Sequence, residues 1–211
     1  MPDSTPVARG PVALTDPVTA SGWEVCGRRS SAPLRLADHT PLAKVAVRAA
    51  PDGALAARLG VPFGHTARDV VGTLVVGSGP GEWLLLAAPG TARHTAEGIC
   101  AGEEFVTVID VTHGRALLRL TGPAGDQLLA KVCAIDLSDR VTPDGTAFRS
   151  EVARLVTDVI RDDVDSTRSY LLHCERSSGQ YLFDALLDAG RELGIDEDGF
   201  DAWPPAEERG R

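Results

Sequence analysis

Aromatic residues are scarce. Phe, Trp and Tyr make up 5% of the 211 residues, and ring-binding pockets are usually walled by such side chains. A basic excess is missing too: 21 Lys and Arg stand against 30 Asp and Glu, a formal net charge of −9. An acidic surface repels phosphate backbones, and the basic residues are scattered among acids, so nucleic acid is excluded as a partner. No apolar run is long enough to span a bilayer. The opening MPDSTPVARGPVALTDP has no charged start followed by an apolar block, so no secretory signal is expected and a cytoplasmic location is. The four cysteines, Cys26, Cys100, Cys133 and Cys174, lie far apart. Without a CxxC pair or a Cys/His cluster they argue against a zinc site and read as reduced, buried thiols.

What is there is apolar patterning. A hydrophobic fraction of 43% suffices for a compact core. Residues 1–30 are rich in Pro, Thr, Ser, Gly and Asp and read as a flexible N-terminal arm. Residues 195–211 read as an acidic C-terminal tail. Between them, 31–194 form the expected domain. Lys44 to Ala49 alternates like a strand. GALAARLG reads as a short helix closed by Gly60 and stopped by Pro62.

A rhythm follows. VGTLVVGSGPGEWLLLAA is two apolar runs about a Gly-Pro-Gly turn, a hairpin, and GTARHTAEGIC a helix. EFVTVIDVTHGRALLRLT reads as a second hairpin turning at Thr112, His113 and Gly114. GPAGDQLLAKV is a second helix, with Gly122 at its cap and Pro123 at its first position. EVARLVTDVIRDDVDSTRSYLLHC is a third hairpin with a longer acidic turn. SSGQYLFDALLDAGRELG is a third helix with a Ser177–Gln180 capping box. Its stripe is Leu182, Phe183, Leu186, Leu187 and Leu193, and Gly194 ends it. Repeated hairpin-helix units predict an α+β fold of antiparallel sheets covered by helices.

The candidate chemistry is thin. Asp110, His113 and Arg115 offer a general base with an orienting carboxylate, yet they fall where a turn needs such residues, and no nucleophile motif accompanies them. Lys131 at a helix end complements the dipole, with Cys133 packing just beyond it. Asp162, Asp163 and Asp165 resemble paired acid/base carboxylates but sit in an expected turn. GSGPGEW lacks the spacing of a phosphate loop. Trp83 is expected to cap the core, and Trp23 and Trp203, in the arms, to dock on another subunit. No catalytic, cofactor-binding or metal residue is assigned.

The segments SGPGEWLLLA, VIDVTHGRALLRLTGPAGDQLLAKVCAIDLSD and SYLLHCERSSGQYLFDALLDAG resemble the gamma subunit of heterotetrameric sarcosine oxidase. That family has a GPDEWLL-like strand, then a DVSxxRxxLRLSGPxAxxLLAKGCPLDL-like core. Here the core stands as Asp110-Val111-Thr112, Arg115, Leu118 to Pro123, Leu128 to Lys131, Cys133 and Asp136-Leu137. Val132 replaces a usual glycine, and Ala134-Ile135 a Pro-Leu-like pair. The likeness runs from about Ser31 to Gly194.

The resemblance implies part of the folate-binding aminomethyltransferase fold. It implies a non-catalytic chain that supports assembly and the folate region of the alpha subunit, beside alpha, beta and delta subunits. The whole complex would oxidise sarcosine with oxygen to glycine, hydrogen peroxide and formaldehyde, or methylenetetrahydrofolate when tetrahydrofolate is present. FAD, FMN, NAD, tetrahydrofolate and zinc would lie on the partner subunits. Two alternatives remain at this point: a stand-alone folate-binding or aminomethyltransferase-like protein, and a thiol or Asp-His enzyme centred on His113 and Cys133.

Overall fold

The computed structural model describes residues 6–99, 105–201 and 203. In chain order the elements are β1 (Ala8–Arg9), β2 (Pro17–Ala20), β3 (Trp23–Cys26), β4 (Leu34–Asp38), β5 (Ala43–Arg48), α1 (Ala54–Leu59), β6 (Thr66–Arg68), β7 (Leu74–Gly79), β8 (Glu82–Ala87) and α2 (Ala92–Ile99). There follow β9 (Thr107–Asp110), β10 (Arg115–Thr121), α3 (Gly125–Leu129), β11 (Ala147–Val152), β12 (Leu155–Arg161), β13 (Ser169–Glu175), α4 (Gly179–Gly190) and β14 (Ile195–Asp198). They build a six-stranded sheet, β11-β12-β13-β10-β4-β14, a five-stranded sheet, β6-β7-β8-β5-β9, and a small sheet, β1-β3-β2. Pairing in the two large sheets is antiparallel except where β14 joins β4.

Strand alternation sets the layers. On β10, Ala116, Leu118 and Leu120 point into one core with Leu128 and Leu129 of α3 and Leu182, Phe183 and Leu186 of α4. Leu117, between them, points the other way and meets Leu74, Val76, Leu84 and Leu86 of the five-stranded sheet. That sheet turns Val45, Val75, Trp83 and Leu85 outward, under Leu55 of α1 and Ala92 of α2. The result is helix, sheet, sheet, helix: the expected α+β class with the two sheets packed face to face. No helix among the described residues is long and apolar enough to cross a membrane.

Several elements stand as expected. The Gly-Pro-Gly turn joins β7 to β8, α1 ends on Gly60 at φ 62°, and α4 buries its stripe. Others differ. EFVTVIDVTHGRALLRLT is no hairpin: β9 pairs with β5, whereas β10 pairs with β13 and β4. A 3-10 turn at Thr112–Gly114 carries the chain from one large sheet to the other. The third hairpin stands, as β12 and β13 about the acidic turn, but β11 precedes it and makes a three-stranded meander. Its first turn is made by Ala153 and Arg154, at φ 48° and 68°, left-handed geometry reached without glycine. Helix α3 begins two residues later than expected, after Ala124, and Gly122 stands outside it at φ 147°. The Ser177–Gln180 capping box is absent: Gln180 Oε1 accepts from the Ala13 N–H at 2.6 Å, and Ser178 makes no side-chain cap.

The arm and tail boundaries at 30 and 195 also differ from expectation. Trp23 and Val25 of β3 enter the inter-sheet core, and Val12 joins the core beneath α4. Ser30 N–H bonds Asp198 Oδ1 at 2.9 Å, and Thr15 Oγ1 bonds Glu197 Oε2 at 2.7 Å. Among the described residues, 15–30 and 195–200 therefore bond each other and pack on their own chain, because Trp23 and Phe200 supply apolar anchors that Pro/Ser/Gly composition conceals.

Candidate functional site

The residues singled out in the sequence do not converge. Asp110 Oδ1 accepts the Thr112 N–H at 2.9 Å and shapes the crossing turn. His113 stacks on Trp23, rings 4.8 Å apart and 11° from parallel, and Arg115 pairs with Glu175. Lys131 donates to the Ala189 carbonyl at 2.6 Å and pairs with Glu192, so it serves the end of α4 and not the helix it follows. Cys133 Sγ lies 3.8 Å from Ser150 Oγ. Burial pushes the Cys174 thiol up to about 11 and raises that of Cys26, which suppresses the thiolate. Cys100 falls outside the described residues. Trp83 is buried and donates to the Val61 carbonyl, while Trp23 and Trp203 dock on this chain itself.

The acidic turn divides its carboxylates. Asp163 faces Arg161, with Nη2 to Oδ2 at 3.0 Å, and Asp165 belongs to a two-residue turn at φ 48°. Asp162 is buried, and both its oxygens accept from Arg68 Nη2 at 2.8 Å while Arg119 Nη2 reaches Oδ2 at 2.7 Å. Two guanidiniums thus converge on one buried carboxylate. The proton-sharing pair that the sequence suggested is absent from this turn.

Beside Arg119 lies a cavity of about 230 Å3, on the inter-sheet face of β4 and β10 where the five-stranded sheet stops covering it. His39 and Trp203 help line it. Burial, with Arg119 and Lys44 adding, holds the His39 imidazole well below its ordinary range, so the ring is neutral near pH 7. Its Nδ1 has no partner among the described residues.

A second cluster sits further along the same face. Arg149 Nε reaches Asp158 Oδ1 at 2.6 Å, and Asp158 Oδ2 lies 2.8 Å from His173 Nδ1. Burial alone would raise the Asp158 carboxyl, but the bonds from His173 and Arg149 outweigh it and hold the group low. Burial lowers the His173 imidazole against the opposing pull of Asp158. This orients a base, as in acyl-transfer triads, but no hydroxyl or thiol among the described residues reaches its Nε2. Nor do three or more His, Cys, Asp or Glu among them gather as a metal site.

Lys44 was not legible as special. It lies wholly buried on β5, donating to the carbonyls of Thr40 and Leu42 at 2.6 and 2.8 Å. Burial draws its ammonium down to about 7, against the raising charges of Asp38 and Asp110. The unfolded chain holds this proton up to its ordinary value of 10.5. Between those limits the unfolded state binds more protons, so stability rises with pH, by up to ~1.4 kcal/mol per pH unit. Urea titrations from pH 7 to 10 are expected to show the native chain gaining on Lys44→Met by that slope. Parallel curves would disprove the depressed ammonium.

With this geometry in view, similarity adds the lineage. The GCVT N-terminal domain family matches residues 62–204. The sarcosine oxidase gamma subunit of Corynebacterium sp. (strain U-96) is 36% identical over 165 residues, covering 74% of this chain and 78% of that protein. The chain belongs to the sarcosine oxidase gamma subunit family. A solved heterotetrameric sarcosine oxidase from Corynebacterium sp. U-96 matches 78% of this chain and 87% of its own at 29% identity, with a TM-score of 0.66. The glycine cleavage system aminomethyltransferase T of Bartonella henselae matches 87% of this chain and 55% of its own, TM-score 0.67. At 15% identity that likeness shows the fold alone. The segments that resemble that family cover β8, β9, β10, α3, β13 and α4.

Proposed function

We propose that the chain is the gamma subunit of a heterotetrameric sarcosine oxidase and makes or breaks no bond itself. In this reading alpha, beta and delta subunits carry FAD, FMN, NAD, tetrahydrofolate and zinc, in the cytoplasm. The gamma chain supports their assembly and the folate region of alpha. The complex converts sarcosine and oxygen to glycine, hydrogen peroxide and formaldehyde, or methylenetetrahydrofolate when the folate is present.

One observation supports the non-catalytic half: the charged groups at the cavity have ionic partners in or beside it. Asp162 is held by Arg68 and Arg119, and Arg35 faces Asp198 at 3.6 Å. The cavity beside Arg119, of about 230 Å3 with Trp203 as one wall, is smaller than the ~300 Å3 at which sites for drug-sized ligands begin, which favours placing the flavins and the pterin on the partner subunits.

Co-expression with candidate alpha, beta and delta subunits tests the reading. It is expected to give a yellow complex with this chain in equal stoichiometry. The chain alone is expected to leave sarcosine untouched. A colourless chain that purifies apart from those subunits would reject the assignment. Micromolar binding of a reduced folate by the isolated chain would favour a stand-alone folate protein instead.

A further inference from the structure

Strand β11 is an edge of the six-stranded sheet, paired with β12 on one side only. Its register fixes which backbone groups that pairing uses. The Arg161 N–H donates to the Thr146 carbonyl at 2.8 Å, one step before Ala147 faces Ile160. Hydrogen-bonded and open pairs alternate along an antiparallel ladder. Phe148, Ser150 and Val152 therefore bond β12, and the N–H and C=O groups of Ala147, Arg149 and Glu151 point away from it. Ala147 bears this out, because its N–H donates outward to the Gly64 carbonyl at 2.9 Å. At the far end the Ala153 N–H donates to the Val132 carbonyl at 2.9 Å. Between these two ties, the N–H and C=O groups of Arg149 and Glu151 have no partner among the described residues.

A groove of about 510 Å3 lies beside that edge, lined by Val132, Cys133, Ala134, Ser150 and Tyr181. Tyr181 is 52% exposed, and its hydroxyl donates to the Ala153 carbonyl at 3.2 Å. This bond and the one to Val132 fix the Ala153–Arg154 turn in its left-handed geometry, which L side chains seldom adopt. The turn holds Arg154 at the rim of the groove. Arg154 and Glu151 both border it without an ionic partner among the described residues, whereas Arg149 is neutralised by Asp158. On the other face of the strand pair, Val156 stands level with Glu151 and is 72% exposed.

We propose that the outer edge of β11 is a docking site for an extended segment of a partner subunit, which adds to the sheet as a further strand. The proposal rests on reading the chain as a gamma subunit and states where a partner meets it. The open N–H and C=O groups of Arg149 and Glu151 supply the main-chain bonds of such an added strand. Alternate side chains of the segment fall on its two faces. One set enters the groove against Val132, Ala134 and Tyr181, and the other covers Val156. A carboxylate opposite Arg154 and a cation opposite Glu151 complete the charge match. The charged side chains of Arg149 and Glu151 keep an otherwise open edge from pairing indiscriminately, so the segment that fits is selected by its charges as well as its backbone.

The test uses the chain co-expressed with alpha, beta and delta subunits. Amide hydrogen exchange over residues 147–153 is expected to slow about tenfold or more in the complex relative to the chain alone. E151P removes an outward N–H and no bond to β12, a substitution that edge strands tolerate; E151A is its control. E151P is expected to be retained on a tagged alpha subunit about tenfold less than E151A, the worth of a lost main-chain bond and the clash of the ring. R154E is expected to be retained severalfold less than the unaltered chain. Urea midpoints of the isolated variants check folding, and the exchange measurement and R154E decide the matter if E151P unfolds. Unchanged exchange in a complex that forms, or equal retention of all the variants, would overturn the docking edge and leave the subunit assignment standing. Protection that grows with concentration in the isolated chain would give the edge to a second copy and overturn the partner. A chain that joins none of the subunits would remove the assignment and the docking site together.

Discussion

Asp162→Ala is expected to destabilise the chain by about 3–5 kcal/mol, the cost of stranding buried charge. The side chains concerned are shielded: Asp162 is 7% exposed, Arg119 9% and Arg68 17%. Removing the carboxylate takes away the anion that the two guanidiniums share. It also frees the Arg68 guanidinium that stacks on Trp203. For a chain of this length each kcal/mol moves Tm by ~2–4 °C, so a fall of roughly 6–20 °C is expected by calorimetry, with a lower urea midpoint. Arg119→Met is the informative partner. It leaves Asp162 neutralised by Arg68 and replaces the second cation with an apolar chain of similar reach, so its cost is expected to be well under half as large. A loss below ~1 kcal/mol for Asp162→Ala would mean that the triad is not the keystone of this face.

That triad shows where sequence reading stops. The strand RALLRLT was plain from its apolar run, and Arg119 was visible in it as a charge between Leu118 and Leu120. Such a residue must find a buried partner, but nothing in the letters says that the partner is Asp162, far along the chain, with Arg68 arriving from the other sheet. The β7–β8 turn and the stripe of α4 were legible because their causes are local: Gly-Pro-Gly geometry and helical spacing. The 3-10 crossing at Thr112 was not. Alternation identifies a strand and its two faces, and it is silent on which neighbour the strand pairs with. The same limit explains the termini. Polar, proline-rich composition suggested arms, whereas one tryptophan or phenylalanine placed in the core, as Trp23 and Phe200 are, is enough to order a short segment. Conversely, His113 and Cys133 looked chemical because they are close in sequence, and the fold gives them separate partners in Trp23 and Ser150.

Gly122→Ala is expected to cost about 2–6 kcal/mol, from two independent causes. The residue stands at φ 147°, a conformation that strains any L side chain by ~1–3 kcal/mol. A Cβ there would also sit 2.2 Å from the Pro33 carbonyl oxygen and 2.8 Å from Leu34 Cα. Overpacking of that kind adds roughly 1–3 kcal/mol. The backbone it strikes cannot yield cheaply, because Leu34 begins β4, which pairs with β10 on one side and β14 on the other. Gly122 also donates to the Arg168 carbonyl at 2.9 Å, tying the turn before β13 to the same point. Sequence reading noticed this glycine as a helix cap, and its role is instead to let two backbones meet at the end of the central strand. Gly194→Ala separates the two causes. Gly194 stands at φ 70° with nothing within 4 Å of an added Cβ, so only the left-handed strain of ~1–2 kcal/mol applies. Urea denaturation of both variants is expected to place Gly122→Ala clearly below Gly194→Ala. Equal midpoints would show that β4 moves aside freely and that the close approach constrains nothing.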